Sequence, residues 1–165
     1  MARPQRQEYR VPGLSEPISH YTDAVRFGDV LFVSGVAPLD AALRLVGGED
    51  VVAQARQVFE NMARILNAAG ATFADVLKVT VFLTDVEDRR AINPIRQEYF
   101  GAARPASTLF EVSKLAVPGM KVEIEAVVGL PRRATARKAT TKRRKVAAGS
   151  RSATAKRKRP VRRRG

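Results

Sequence analysis

The chain has 165 residues, no cysteine, a single histidine and a formal net charge of +14 from 30 Lys+Arg against 16 Asp+Glu. The lack of Cys excludes disulfide frameworks and thiolate metal sites, and the lone His20 excludes His-cluster metal centres. The charge is split, with 14 basic and 16 acidic residues in 1–130 (−2) and 16 basic and no acidic residues in 131–165 (+16), which rules out a uniformly basic nucleic-acid-binding domain.

Beyond residue 130 the apolar side chains are seven Ala and two Val. They cannot bury enough surface to offset the entropy of ordering that segment. The composition therefore predicts a globular domain over 1–130 and a disordered Lys/Arg/Ala-rich tail over 131–165. The N-terminal MARPQRQEYR is followed by no apolar h-region, and no apolar run approaches the ~18–20 residues of a spanning helix. A cytoplasmic setting without a membrane partner is expected.

Residues 8–12 read as a short strand closed by Pro12-Gly13. Ala24–Phe27 and Val30–Ser34, joined by Gly28-Asp29, read as a hairpin. Residues 41–46 read as a weaker third strand of this meander, closed by Gly47-Gly48. From Asp50 to Ala69, Val51, Ala55, Val58, Phe59, Met62, Ile65, Leu66 and Ala69 recur at helical spacing. Gln54, Gln57, Glu60, Arg64 and Asn67 fill the opposite side, Asp50 is placed to cap the start and Gly70 to end the helix.

Val76–Thr84 alternates as a strand, with Leu77, Val79, Val81 and Leu83 on one apolar face. Asp85 then opens a second helical segment to about Phe100, which Pro94 should kink or divide. Two further strands, 107–112 and 121–129, follow Arg104-Pro105. The order β-β-β-α-β-α-β-β predicts a two-layer α+β domain, its sheet covered by two helices on one face. Val122, Ile124, Ala126 and Val128 would face the helices. The other face, with Phe82 among Lys121, Glu123, Glu125 and Val127, is half apolar and suits contact with another subunit.

Four stretches taken in order resemble the RidA (YjgF) family of reactive-intermediate deaminases: Val33-Ser34-Gly35 with Pro38; Ala68-Ala69-Gly70-Ala71; Asp75 through Leu83; and Arg104-Pro105-Ala106-Ser107 leading to residues 121–126. The resemblance covers roughly 8–130. It implies a chorismate-mutase-like fold with a mixed sheet, a homotrimer with inter-subunit clefts, and, for active members, hydrolysis of small imines or enamines of 2-oxo acids. It implies no metal and no organic cofactor. Such a substrate needs a cation for its carboxylate and a base to place water at the imine carbon.

On this resemblance Glu123 is the water-positioning base. Glu125, on its face, either raises its pKa or pairs with Lys121 or Lys78. Tyr21 is either an aromatic lining the cleft or a loop anchor. Asn93 either contributes to the cleft or caps the turn before Pro94. Gly35 marks close backbone approach or a bulge, and His20 matches no motif. The resemblance also implies an arginine where this chain reads Pro105-Ala106-Ser107-Thr108. At Ser107 a hydroxyl loses a charge-assisted bond of ~1.5–3 kcal/mol and keeps at most a neutral one of ~0.5–1.5, roughly tenfold in binding. Arg104 could reach the cleft from its loop. Otherwise the substrate is a different, less charged one, or the domain binds ligands without turning them over.

The tail carries Lys142, Arg143, Arg144 and Lys145; Lys156, Arg157, Lys158 and Arg159; and Arg162, Arg163 and Arg164. It has no aromatics for base stacking and no apolar stripe for a membrane surface. Its chemistry predicts nonspecific, salt-sensitive attraction to nucleic acid or another polyanion, and hence nucleoid association. A solubilising extension and a nuclear-localisation signal are the alternatives.

Overall fold

Helix α1 (Val51–Ala69) forms where the apolar periodicity is strongest. The Asp50 carboxylate accepts from the Val52 and Ala53 amides at 2.8 and 3.2 Å, satisfying two of the helix's orphan donors. At its other end Gly70 turns left-handed (φ 73°), and the Gly70 and Ala71 amides return to the Asn67 and Leu66 carbonyls. The structure, a computed structural model, describes residues 5–130. The basic tail predicted for 131–165 lies outside the described residues.

Six strands form one mixed sheet: β1 (Arg6–Tyr9), β2 (Ala24–Phe27), β3 (Val30–Val36), β4 (Val76–Leu83), β5 (Ala106–Glu111) and β6 (Val122–Gly129), in spatial order β1-β2-β3-β6-β4-β5. All neighbours run antiparallel except β4 and β5. The β4–β5 connection contains the second helix, α2 (Arg89–Phe100), as a parallel pair requires. This is the expected two-layer α+β arrangement.

Between the layers lie Val33, Val79, Val81, Leu83, Val122, Ile124, Ala126 and Val128 from the sheet and Ala55, Val58, Phe59, Met62 and Ile65 from α1. Phe59 stacks on Tyr99 at 5.0 Å and meets Phe100 edge-on at 5.7 Å, joining the two helices.

Five sequence expectations are corrected. The first strand spans Arg6–Tyr9 rather than 8–12, because Pro12-Gly13 and the Val11 amide, which donates to Asp23, belong to the turn beyond it. Residues 41–46 form a loop rather than a strand. The Asp40 carboxylate accepts from the Ala42 and Arg44 amides, Leu43 takes φ 62°, and only an isolated Leu39–Leu45 bridge remains. Leu77 leaves the apolar face because a register shift between Val76 and Lys78 resets the alternation; Val76 is buried and Leu77 is 56% exposed.

Gln54 is not on the solvent side of α1 but fully buried. Its amide nitrogen donates to the Gly48 and Gly119 carbonyls at 2.6 and 2.9 Å, and its amide oxygen accepts from the Lys121 amide at 2.7 Å. Pro94 does not divide α2, which runs unbroken from Arg89. The bond that proline forgoes would have ended on the carbonyl of Arg90, an exposed residue where water can take its place.

Candidate functional site

Strands β3 and β6 build the centre of the site. Val33 pairs with Ala126 and Val36 with Ile124, so Ser34 and Gly35 together oppose Glu125 alone. Such a bulge re-aims the backbone beside it. The bulge brings Gly35 against Glu123: a β-carbon added at Gly35 would lie 1.9 Å from the Glu123 carboxylate oxygen. Both sequence readings of Gly35, close approach and bulge, therefore hold, and any larger residue there displaces the carboxylate.

Glu123 is half-buried and makes no hydrogen bond or ion pair among the described residues. Partial burial raises its pKa above the ordinary carboxylate range, and the Glu125 charge pushes it further the same way. The alternative ion pairs for Glu125 are not formed. Lys121 instead meets Glu49 at 3.1 Å, and Lys78 makes no ion pair among the described residues.

The Glu123 carboxylate opens into a cavity of about 430 Å³ lined also by Ile18, Tyr21, Gly35, Val117 and Met120. Tyr21 lines this cavity, and its hydroxyl accepts a long bond (3.4 Å) from the Ile18 amide, the contact expected of a loop anchor. His20 is exposed and outside the lining. The position of β6 in this cavity depends on Gln54, which clamps Gly119 and Lys121 just ahead of Glu123.

The remaining expected residues gather elsewhere. Glu123 pairs across the ladder with Phe82, on the face away from the helices. Ser107 pairs with Val79, a buried residue of the helix-side face. Asn93 and Arg104 line a second cavity of about 440 Å³ between α2 and the loop into β5. Asn93 lies inside α2 and does not cap a turn.

That second cavity also holds a residue that no sequence motif marks. Arg96, half-buried on α2, donates from Nη2 to the Ser107 hydroxyl at 2.8 Å. Its sequence signal was faint, an arginine four residues before the end of an amphipathic helix. The chain thus carries one cavity lined by the Glu123 carboxylate and a separate one lined by Arg96 and Arg104. No set of His, Asp and Glu among the described residues is grouped to hold a metal, and none of their helices is long and apolar enough to cross a membrane.

The family model described as Endoribonuclease L-PSP matches residues 13–129. The chain belongs to the RidA (YjgF) family. A RutC family protein of Pyrococcus horikoshii is 41% identical over 112 residues, covering 68% of this chain and 88% of that protein. The human 2-iminobutanoate/2-iminopropanoate deaminase is 35% identical over 118 residues, covering 72% of this chain and 83% of its own. Among solved structures, RidA from an Antarctic Psychrobacter superposes with a TM-score of 0.70 at 32% identity, over 75% of this chain and 99% of that one. The family match spans the residues that line both cavities and ends at residue 129.

Proposed function

We propose that this protein hydrolyses small imines or enamines of 2-oxo acids to the keto acid and ammonia. The observation that carries the reading is Glu123, an unpaired, half-buried carboxylate of raised pKa held against Gly35 in a mostly apolar cavity. A raised pKa makes a carboxylate a stronger base near neutral pH. It takes a proton from water as the water oxygen bonds to the imine carbon. The resulting carbinolamine expels ammonia once its nitrogen is protonated, and the carbonyl forms. The deaminase names of the human and goat relatives support this reaction class.

A substrate carboxylate would have to meet a cation, and in one protomer the cations lie in the other cavity. The reading therefore includes a homotrimer in which the base-bearing cavity of one subunit faces the cationic cavity of the next. The half-apolar outer sheet face, with Phe32, Phe110 and Leu77 exposed, supports such packing. Serine at position 107 favours one rival, a ligand-binding trimer without turnover that docks on nucleic acid through its tails. In either reading the protein is cytoplasmic and requires no cofactor.

The test is ammonia release from 2-iminobutanoate generated in situ. Glu123→Gln should lower kcat by about 10²–10⁴-fold, the span of a lost general base, with little change in thermal stability. A wild-type rate no higher than buffer, with both this imine and a neutral one, would overturn the enzyme reading in favour of the rival.

A further inference from the structure

Arg96 is a half-buried cation with no counter-charge among the described residues. Arg10, Arg44, Arg56 and Arg89 each reach a carboxylate. Arg96 makes no such pair among the described residues, and burial alone acts on its pKa, downward. Its hydrogen-bond partner is the Ser107 hydroxyl, which fixes one edge of the guanidinium without neutralising it. Of five N–H donors in a planar fork, four remain for something else. Desolvating a charge is costly unless an opposite one joins it, so this arrangement favours binding an anion.

The space beside it has the matching chemistry. Asn93, Gln97 and Arg104 line the same cavity of about 440 Å³, and no Asp or Glu does. Two guanidinium groups and two amides suit a small carboxylate, and the volume fits an acid of a few carbons. The serine that holds Arg96 occupies the position where the family resemblance implies an arginine.

We infer that Arg96, oriented by Ser107, is the anchor for the substrate's carboxylate, so that the charge missing from strand position 107 is supplied from helix α2. The inference rests on the deaminase reading for the identity of the ligand, and not for the existence of the anion site. Arg96 touches the carboxylate, and Ser107 acts through it as a positioning residue. Arg104, exposed on its loop, adds attraction without fixing orientation.

Binding of 2-oxobutanoate, the keto acid such a reaction releases, separates the possibilities without requiring turnover. Full-length wild type, Arg96→Gln, Arg96→Lys and Arg104→Gln are titrated at one ionic strength, so the basic tail contributes equally to each. Arg96→Gln should weaken binding about tenfold or more while leaving Tm within a few degrees. Arg96→Lys, which keeps the charge and loses the fork, should fall between, and Arg104→Gln should cost no more than a few-fold. In the iminobutanoate assay the Arg96→Gln loss should fall on KM.

Unchanged keto-acid affinity in Arg96→Gln, a loss confined to Arg104→Gln, or no carboxylate binding by wild type would each overturn the anchor. Arg96-dependent binding without turnover would sustain the anchor and sink the deaminase reading. Turnover with an unchanged KM in Arg96→Gln would do the reverse.

Discussion

In the proposed reaction Glu123 would owe its basicity to burial and to two neighbours of different kinds. Gly35 admits the carboxylate to a half-buried position, and Glu125 adds a like charge on the same strand face. Both favour the neutral acid, so the base form is lost as pH falls through a pKa lying above the ordinary glutamate value. The acidic limb of the activity profile should accordingly stand above that value. Glu125→Gln removes the repulsion and should move the limb to lower pH, with burial keeping it above the ordinary position. An unmoved limb in kcat/KM would mean that Glu125 does not act on the base. For stability the sign is opposite to that of a salt-bridged carboxylate, because ionising Glu123 as pH rises works against the fold.

At the scale of elements, α1 both covers the sheet and sets the position of β6. Gln54 satisfies the Gly48 carbonyl ahead of α1 and the Gly119 carbonyl and Lys121 amide ahead of β6, and replacing it by an apolar side chain leaves those groups without their partner. Gln54→Leu should destabilise the domain by about 2–4 kcal/mol, read from chemical denaturation, and should also lower kcat because Glu123 follows closely on β6. A variant as stable and as active as wild type would show that the clamp is dispensable. Gln54 also marks where sequence legibility ended. Periodicity located α1, its caps, the hairpin at Gly28 and the inward face of β6, because each depends on local spacing. It sent Gln54 outward because a glutamine scores as polar whatever it bonds, and its partners lie up to 67 residues away. The register shift that turns Leu77 outward and the Asp40-centred loop at 41–46 are likewise set by cross-strand and side-chain contacts that alternation does not encode. The family pattern grouped Glu123, Gly35 and Tyr21, and the three line one cavity. Arg96 was not legible, since its meaning depends on a hydroxyl eleven positions away.

For the molecule as a whole, the outer sheet face and the basic segment bear on each other. Phe82 and Phe110 stack at 6.2 Å on that face, and Phe110 and Phe32 are half exposed. If the face is where subunits meet, Phe110→Asp should convert a trimer to monomer in sedimentation, whereas an unchanged mass would remove the face from the interface. Trimerisation would also multiply the sixteen basic residues of 131–165, giving 3 × 16 = 48 positive charges on one particle. Each phosphate neutralised releases condensed counterions, so affinity for duplex DNA should fall steeply and linearly in log–log form as salt rises. Tethering makes later tails bind at high effective concentration, so avidity exceeds that of one tail. The net charge of −2 on residues 1–130 offers no comparable attraction. Full-length protein should therefore be retained on DNA at low salt and released at high salt, a chain ending at Leu130 should not be retained at either, and Phe110→Asp should lie between with a shallower slope. Equal retention of the full-length and shortened chains would refute the nucleic-acid role of the tail. A salt-independent difference would point instead to a partner recognised by something other than phosphate charge.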